Sequence, residues 1–110
     1  NENLRLERLF REAIESHSLV EFPYQSDKDS RSRLRKVEPY LVAITDKGEI
    51  KVVGYSINDK ESADQLKHYY FKKIKAGAVR VLPQKFHRLR VDPGKVYNTP
   101  TVKVVCRVKF

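Results

Sequence analysis

Two basic clusters interleaved with aromatic residues are the parts of this sequence best equipped for chemistry. The first is Arg31, Arg33, Arg35 and Lys36, within RSRLRK; the second is Lys67-His68-Tyr69-Tyr70-Phe71-Lys72-Lys73. Lysine and arginine neutralise phosphates, and exposed rings stack on bases at about 1–3 kcal/mol per base. In an extended chain a spacing of two puts Arg31, Arg33 and Arg35 on one side. The same spacing puts Lys67, Tyr69, Phe71 and Lys73 on one strand face. The competing reading leaves Tyr69 and Phe71 in the core, with the lysine stems passing over them to water.

Catalytic patterns are missing. His17, His68 and His87 match no HxxxH, HxH or HExxH spacing, and neither a GxSxG elbow nor a GxxxxGK[ST] loop occurs. The isolated glycines Gly48, Gly54, Gly77 and Gly94 suit turns and strand irregularities better than a phosphate cradle. Cys106, the one cysteine, excludes an intramolecular disulfide and a cysteine-based zinc site. It alternates with valines and reads as a small core hydrophobe. The acids interleave with basic residues as on a solvated face. The expectation is no enzyme, no metal and no cofactor.

The 110 residues carry 23 Lys/Arg and 14 Asp/Glu, for a formal charge of +9, which is one domain with one modest core. Charge is uneven: residues 1–64 hold 11 basic and 13 acidic groups, and residues 65–110 hold 12 basic groups and one acid, Asp92. Such asymmetry points to a polyanionic partner, whether nucleic acid, anionic lipid or acidic protein. A lysine-rich solvated surface is the plainer alternative. No apolar run approaches the roughly 18 residues of a membrane span, and no leader pattern opens the sequence. The start at Asn1 and the absence of Met read as a piece of a longer protein. The cytoplasm is the expected location.

These groups need elements to position them. Leu6, Leu9, Phe10, Ala13 and Ile14 form one apolar stripe and predict a helix over 4–16. Strands are predicted over 19–24, 35–45, 50–57, 66–74, 78–82 (stopped by Pro83) and 101–110. Asp46-Lys47-Gly48 is a hairpin signal and Asp92-Pro93-Gly94 a turn. In the last strand Val102, Val104, Cys106, Val108 and Phe110 share the apolar face. One helix followed by five or six short strands predicts a mainly β fold, a small antiparallel barrel or sandwich.

Read in order, several stretches resemble the WYL domain family of bacterial transcriptional regulators. They are Val20-Glu21-Phe22-Pro23-Tyr24, Arg35-Lys36-Val37-Glu38-Pro39, Ile50-Lys51-Val52-Val53-Gly54-Tyr55, Lys67 to Ile74, and Leu82 to Phe86. The resemblance spans about Leu9 to Phe86. The naming tripeptide here is Ile50-Lys51-Val52, and two motif arginines are Lys67 and Lys73, which keep the charge but lose the bidentate fork. The resemblance implies an Sm-like or Src-homology-3-like small antiparallel β-barrel with an N-terminal helix. Its implied division is 1–18 helix, 19–86 barrel and 87–110 C-terminal extension. It implies a regulatory ligand-sensing module, usually downstream of a winged helix-turn-helix. The ligand is a nucleic acid, single-stranded by preference, or a nucleotide-like anion. Carried over by position, its site is Tyr24, Arg35, Lys67, Tyr69 and Lys73. On this reading Arg35, Lys67 and Lys73 contact phosphates and Tyr24 or Tyr69 stacks. Arg31, Arg33 and Lys72 extend the footprint. The alternative is a dimerisation or interaction domain whose basic surface is incidental.

Overall fold

The computed structural model describes residues 1–58, 66–97 and 103–110. Helix α1 spans Glu2–Glu15, capped by the Asn1 side chain, which accepts from the amides of Asn3 (2.8 Å) and Leu4 (3.3 Å). Its stripe of Leu6, Phe10, Ala13 and Ile14 is buried. His17, at φ 56°, turns the chain through the left-handed region into β1 (Ser18–Tyr24). Then follow β2 (Arg33–Ile44), β3 (Ile50–Ser56), β4 (Leu66–Tyr70), two 3-10 turns (Phe71–Lys73 and Ala76–Ala78), β5 (Arg80–Lys85), α2 (Pro93–Tyr97) and β6 (Lys103–Arg107).

All pairings are antiparallel, in the order β4-β3-β2-β1-β5, with β6 also on β2. The twelve residues of β2 serve three partners. Its first half pairs β1, its second half pairs β6, and β3 runs along the other edge. Among the described residues β4 and β5 are not paired with each other, so the sheet is open where a closed barrel was expected. The two 3-10 turns occupy the connection between them.

Four local expectations are corrected. The fourth strand stops at Tyr70, opposite Lys51, because β3 supplies only one more residue beyond that pair. The chain then tightens into a 3-10 turn that drops Phe71 onto Phe10, centroids 5.6 Å apart. Lys73 therefore leaves the strand face it was expected to share with Lys67 and Tyr69. Strand β5 runs through Pro83, which an edge strand tolerates because only one side carries a ladder. Asp92-Pro93-Gly94 starts a short helix, with the Asp92 carboxylate accepting from the Gly94 amide at 2.9 Å and Pro93 in first position. In β6 a register shift breaks the alternation; Val104, Val105 and Cys106 are all half-buried, so Cys106 is not a core residue. Val102 lies outside the described residues.

The core joins the α1 stripe to Val20, Phe22, Val37, Val42, Val52 and Tyr69. The backbones approach closely at Gly54, where an added Cβ would lie 2.3 Å from the Glu38 carbonyl oxygen and 2.7 Å from Val37 Cγ1. Backbone cannot give way as a flexible side chain does. Gly54→Ala is expected to cost about 3 kcal/mol, the upper end for overpacking, read as a lowered urea midpoint with an unchanged slope.

Candidate functional site

Tyr24 ends β1 with its ring turned inward, 4 % exposed. It meets Tyr69 edge to face, centroids 5.0 Å apart, and its hydroxyl accepts from the Tyr70 amide at 3.1 Å. Arg35 comes from the neighbouring strand. Its Nε and Nη2 reach the Tyr24 carbonyl at 3.4 and 3.3 Å, and its guanidinium carbon lies 5.9 Å from the Tyr24 ring centroid. Lys73, from the turn after β4, puts Nζ 5.9 Å from the same centroid. Two cations from distant parts of the chain thus meet at one ring.

Their counterions come from the loop between β1 and β2. Arg35 Nη2 donates to Asp29 Oδ2 at 2.6 Å, and that oxygen also accepts from Ser26 Oγ (2.9 Å) and the Ser26 amide (3.3 Å). Arg33 lies 3.9 Å from Asp29 Oδ1, and Lys73 Nζ bonds the Asp27 carboxylate. The hydrogen bond from Ser26, joined by Arg35 and Arg33, holds Asp29 below the usual carboxylate range. The Lys73 ammonium does the same for Asp27 and is itself raised. Between loop and turn lies an open cleft of about 660 Å³, lined by Gln25, Ser26, Asp27, Asp29, Ser32, Lys73 and Lys75.

The residues expected from sequence fall into distinct places. Tyr24 and Tyr69 are corrected as stacking platforms: both rings are core, Tyr69 only 3 % exposed, because the apolar centre of the sheet needs them. Arg35 is 5 % exposed and bonded within the protein rather than presented on the surface. Arg33 is exposed at the start of β2, and Arg31 is exposed in the loop before it. Lys67 is half-buried on the Tyr69 side of β4 and makes no ion pair with a described residue. Lys72 points elsewhere, 2.8 Å from Glu49 Oε1 and over the Tyr70 ring. Sequence reasoning missed Asp27, Asp29, Ser26 and Lys75. The signal for the first two was present: two aspartates spaced by two, just before arginines spaced by two.

A second polar network lies under the C-terminal residues. Glu38, 1 % exposed, accepts from the Tyr40 hydroxyl at 2.6 Å and from Arg90 Nε at 2.7 Å. The Arg90 amide donates to the Tyr40 oxygen at 3.2 Å, and its guanidinium carbon lies 5.7 Å from the Tyr55 ring centroid. Burial, with the Glu38 carboxylate beside it, pushes the Tyr40 hydroxyl well above the usual tyrosine range. Glu38 is thus no solvated acid, as its interleaved sequence context suggested. Among the described residues no three His, Cys, Asp or Glu are grouped to hold a metal ion, and no helix is long and apolar enough to cross a membrane.

A family model described as the WYL domain matches residues 6–79. No curated protein matches the chain. Among solved structures it is similar to proteasome accessory factor B/C (PafBC) of Arthrobacter aurescens, with a TM-score of 0.65 and 20 % sequence identity. That likeness covers 76 % of this chain and 12 % of the other, so the chain spans about an eighth of that protein's length. At such identity it is a likeness of fold.

The depressed carboxylates fix the sign of an acid effect. Asp27 and Asp29 add stability that is complete above about pH 4 and lost as pH falls through their lowered folded values. Asp29→Asn is expected to be less stable than the parent at pH 7, with the gap closing toward pH 2, measured by denaturant unfolding at both values.

Proposed function

The chain belongs to the WYL domain family, and from that premise we propose that it is the regulatory, non-catalytic module of a bacterial transcriptional regulator. Its ligand is a single-stranded nucleic acid or nucleotide-like anion, held in the cleft beside Tyr24. One observation carries this reading: Arg35 and Lys73 both lie 5.9 Å from the Tyr24 ring centroid. Each is paired with a loop carboxylate, Arg35 with Asp29 and Lys73 with Asp27, which marks two neighbouring positions where an anion is held. Lys75 lines the same cleft, and neither it nor Lys67 pairs with a described acid. A phosphate-bearing strand supplies the anions this cluster attracts. The sheet is read as the frame of a small Sm-like barrel, with β4 and β5 on either side of the closing turns. A sheet offers no helix for a major groove, which favours single strands. With Tyr24 and Tyr69 buried, the cations do the recognising, and base stacking at these two rings drops out of the mechanism.

The test is fluorescence anisotropy of a short labelled single-stranded DNA at several salt concentrations. Three or four phosphate contacts predict a log–log slope of about −2 to −3, at about −0.7 per contact. Lys67→Ala with Lys73→Ala is expected to flatten the slope by about 1.4 and weaken binding with the fold intact by circular dichroism. An unchanged slope in the double variant refutes the site.

The association reading has one foothold, the outer edges of β4 and β5, which pair with no strand among the described residues. Pro83, Arg80 and Lys85 guard β5, so pairing between copies would run through β4. That reading requires a mass that rises with concentration in sedimentation equilibrium.

A further inference from the structure

We infer that the loop of residues 25–32 is a built-in competitor of the anionic ligand: Asp27 and Asp29 pair with the cations that two neighbouring phosphates of a single strand would take. This rests on the anion-binding reading above and adds the regulation of that site. The two carboxylates sit two residues apart on one loop, and each engages a different cation. Asp27 takes Lys73 from the turn after β4; Asp29 takes Arg35, with Arg33 behind it. The side chain of Asp27 is 94 % exposed apart from that bond, so no packing holds it there. Asp29 is different. Its Oδ2 accepts two hydrogen bonds from Ser26 as well as the one from Arg35, and its backbone carbonyl accepts from Gln25 Nε2 at 3.1 Å. The atom that neutralises Arg35 is therefore also the atom that folds the loop.

A ligand gains entry by replacing carboxylates with phosphates, and the geometry says which ligands succeed. An anion with one charged group displaces Asp27 from Lys73 and leaves Asp29 in place, because Asp29 is held from three sides. A ligand with two linked phosphates takes Lys73 first; Arg35, 5 % exposed, is reached only as the loop carrying Asp29 moves off it, an exchange favoured by the high local concentration that the first contact creates. Arginine then gains the bidentate geometry that one carboxylate oxygen does not provide. Releasing Asp29 from Arg35 removes one of three donors to Oδ2 and loosens the Ser26–Asp29 turn. Occupancy of the cleft thereby becomes a change in loop conformation.

The experiment titrates the whole chain with fluorescein-labelled oligothymidylate, comparing the parent, Asp27→Asn, Asp27→Asn with Asp29→Asn, and Asp46→Asn. Asp46 is exposed in the β2–β3 turn and controls for the lost negative charge alone. Asp27→Asn is expected to bind roughly two- to fivefold tighter, the range an exposed ion pair allows. The double variant is expected to bind tighter still, and Asp46→Asn like the parent. If the double variant unfolds, Asp27→Asn decides alone. Parent binding that Asp27→Asn leaves unchanged or weakens overturns the competitor and spares the anion site. A gain in Asp46→Asn equal to that in Asp27→Asn also overturns it, as a bulk charge effect. No binding by the parent or any variant overturns the anion site itself, and the competitor with it. Binding by the double variant where the parent shows none supports both.

Discussion

The Glu38 carbonyl lies where the Cβ of any residue but glycine at position 54 would sit, and much of the molecule follows from that close approach. Opposite Gly54 the pairing of β2 with β3 slips between Pro39 and Leu41. The slip inserts Tyr40 as an extra residue, a bulge in β2. Before it Val37 faces the core; after it Val42 does, paired with Val52. The bulge frees both ends of Tyr40 for other work. Its hydroxyl joins Glu38 and Arg90, and its carbonyl accepts from the Val108 amide at 2.8 Å. One irregularity lets β2 hold β1 with its first half and the C-terminal strand with its second.

The fold was legible where a single periodicity governs. The α1 stripe follows from one periodicity, while β2 and β3, buried on both faces through most of their length, are marked by β-branched and aromatic runs between turn signals. Legibility failed where tertiary supply overrode pattern. Nothing in LKHYYFKKI says that β3 runs out after the residue beyond Tyr70's partner, so alternation looked set to continue through Lys73. Pro83 looked like a stop because sequence does not show which side of a strand is left unpaired. Barrel closure was likewise a question of how two distant edges meet. The family resemblance drew Arg35 and Lys73 to one site and the structure places both at Tyr24. It also offered Tyr24 or Tyr69 as a stacking ring, and only burial distinguishes a stacking ring from a core ring.

Charge asymmetry had a meaning that composition hid. Several cations of the second half find acids of the first: Lys72 with Glu49, Lys73 with Asp27, Arg80 with Glu21 and Arg90 with Glu38. A split that looks like a device for an external polyanion is in part the two halves of the chain neutralising each other. Exposed pairs of this kind contribute little individually. What they do is set which cations remain for a ligand: Lys67 and Lys75 are without an acid among the described residues, while Arg35 and Lys73 must exchange one anion for another.

Glu38, a carboxylate at 1 % exposure, depends on every partner it has. Tyr40 and Arg90 share that carboxylate, and the Arg90 side chain is about half exposed, so losing the Arg90 arm costs less than the roughly 3–5 kcal/mol of stranding one member of a fully buried pair. Arg90 sits beyond the span matched by the family model, yet it bonds a buried group at the centre of β2. The residues after Phe86 are thus joined to the sheet by this bond, by the Val108 amide on the Tyr40 carbonyl and by the pairing of β6 with β2. A pull on the C-terminal segment is therefore felt at β2, the strand that holds Arg35.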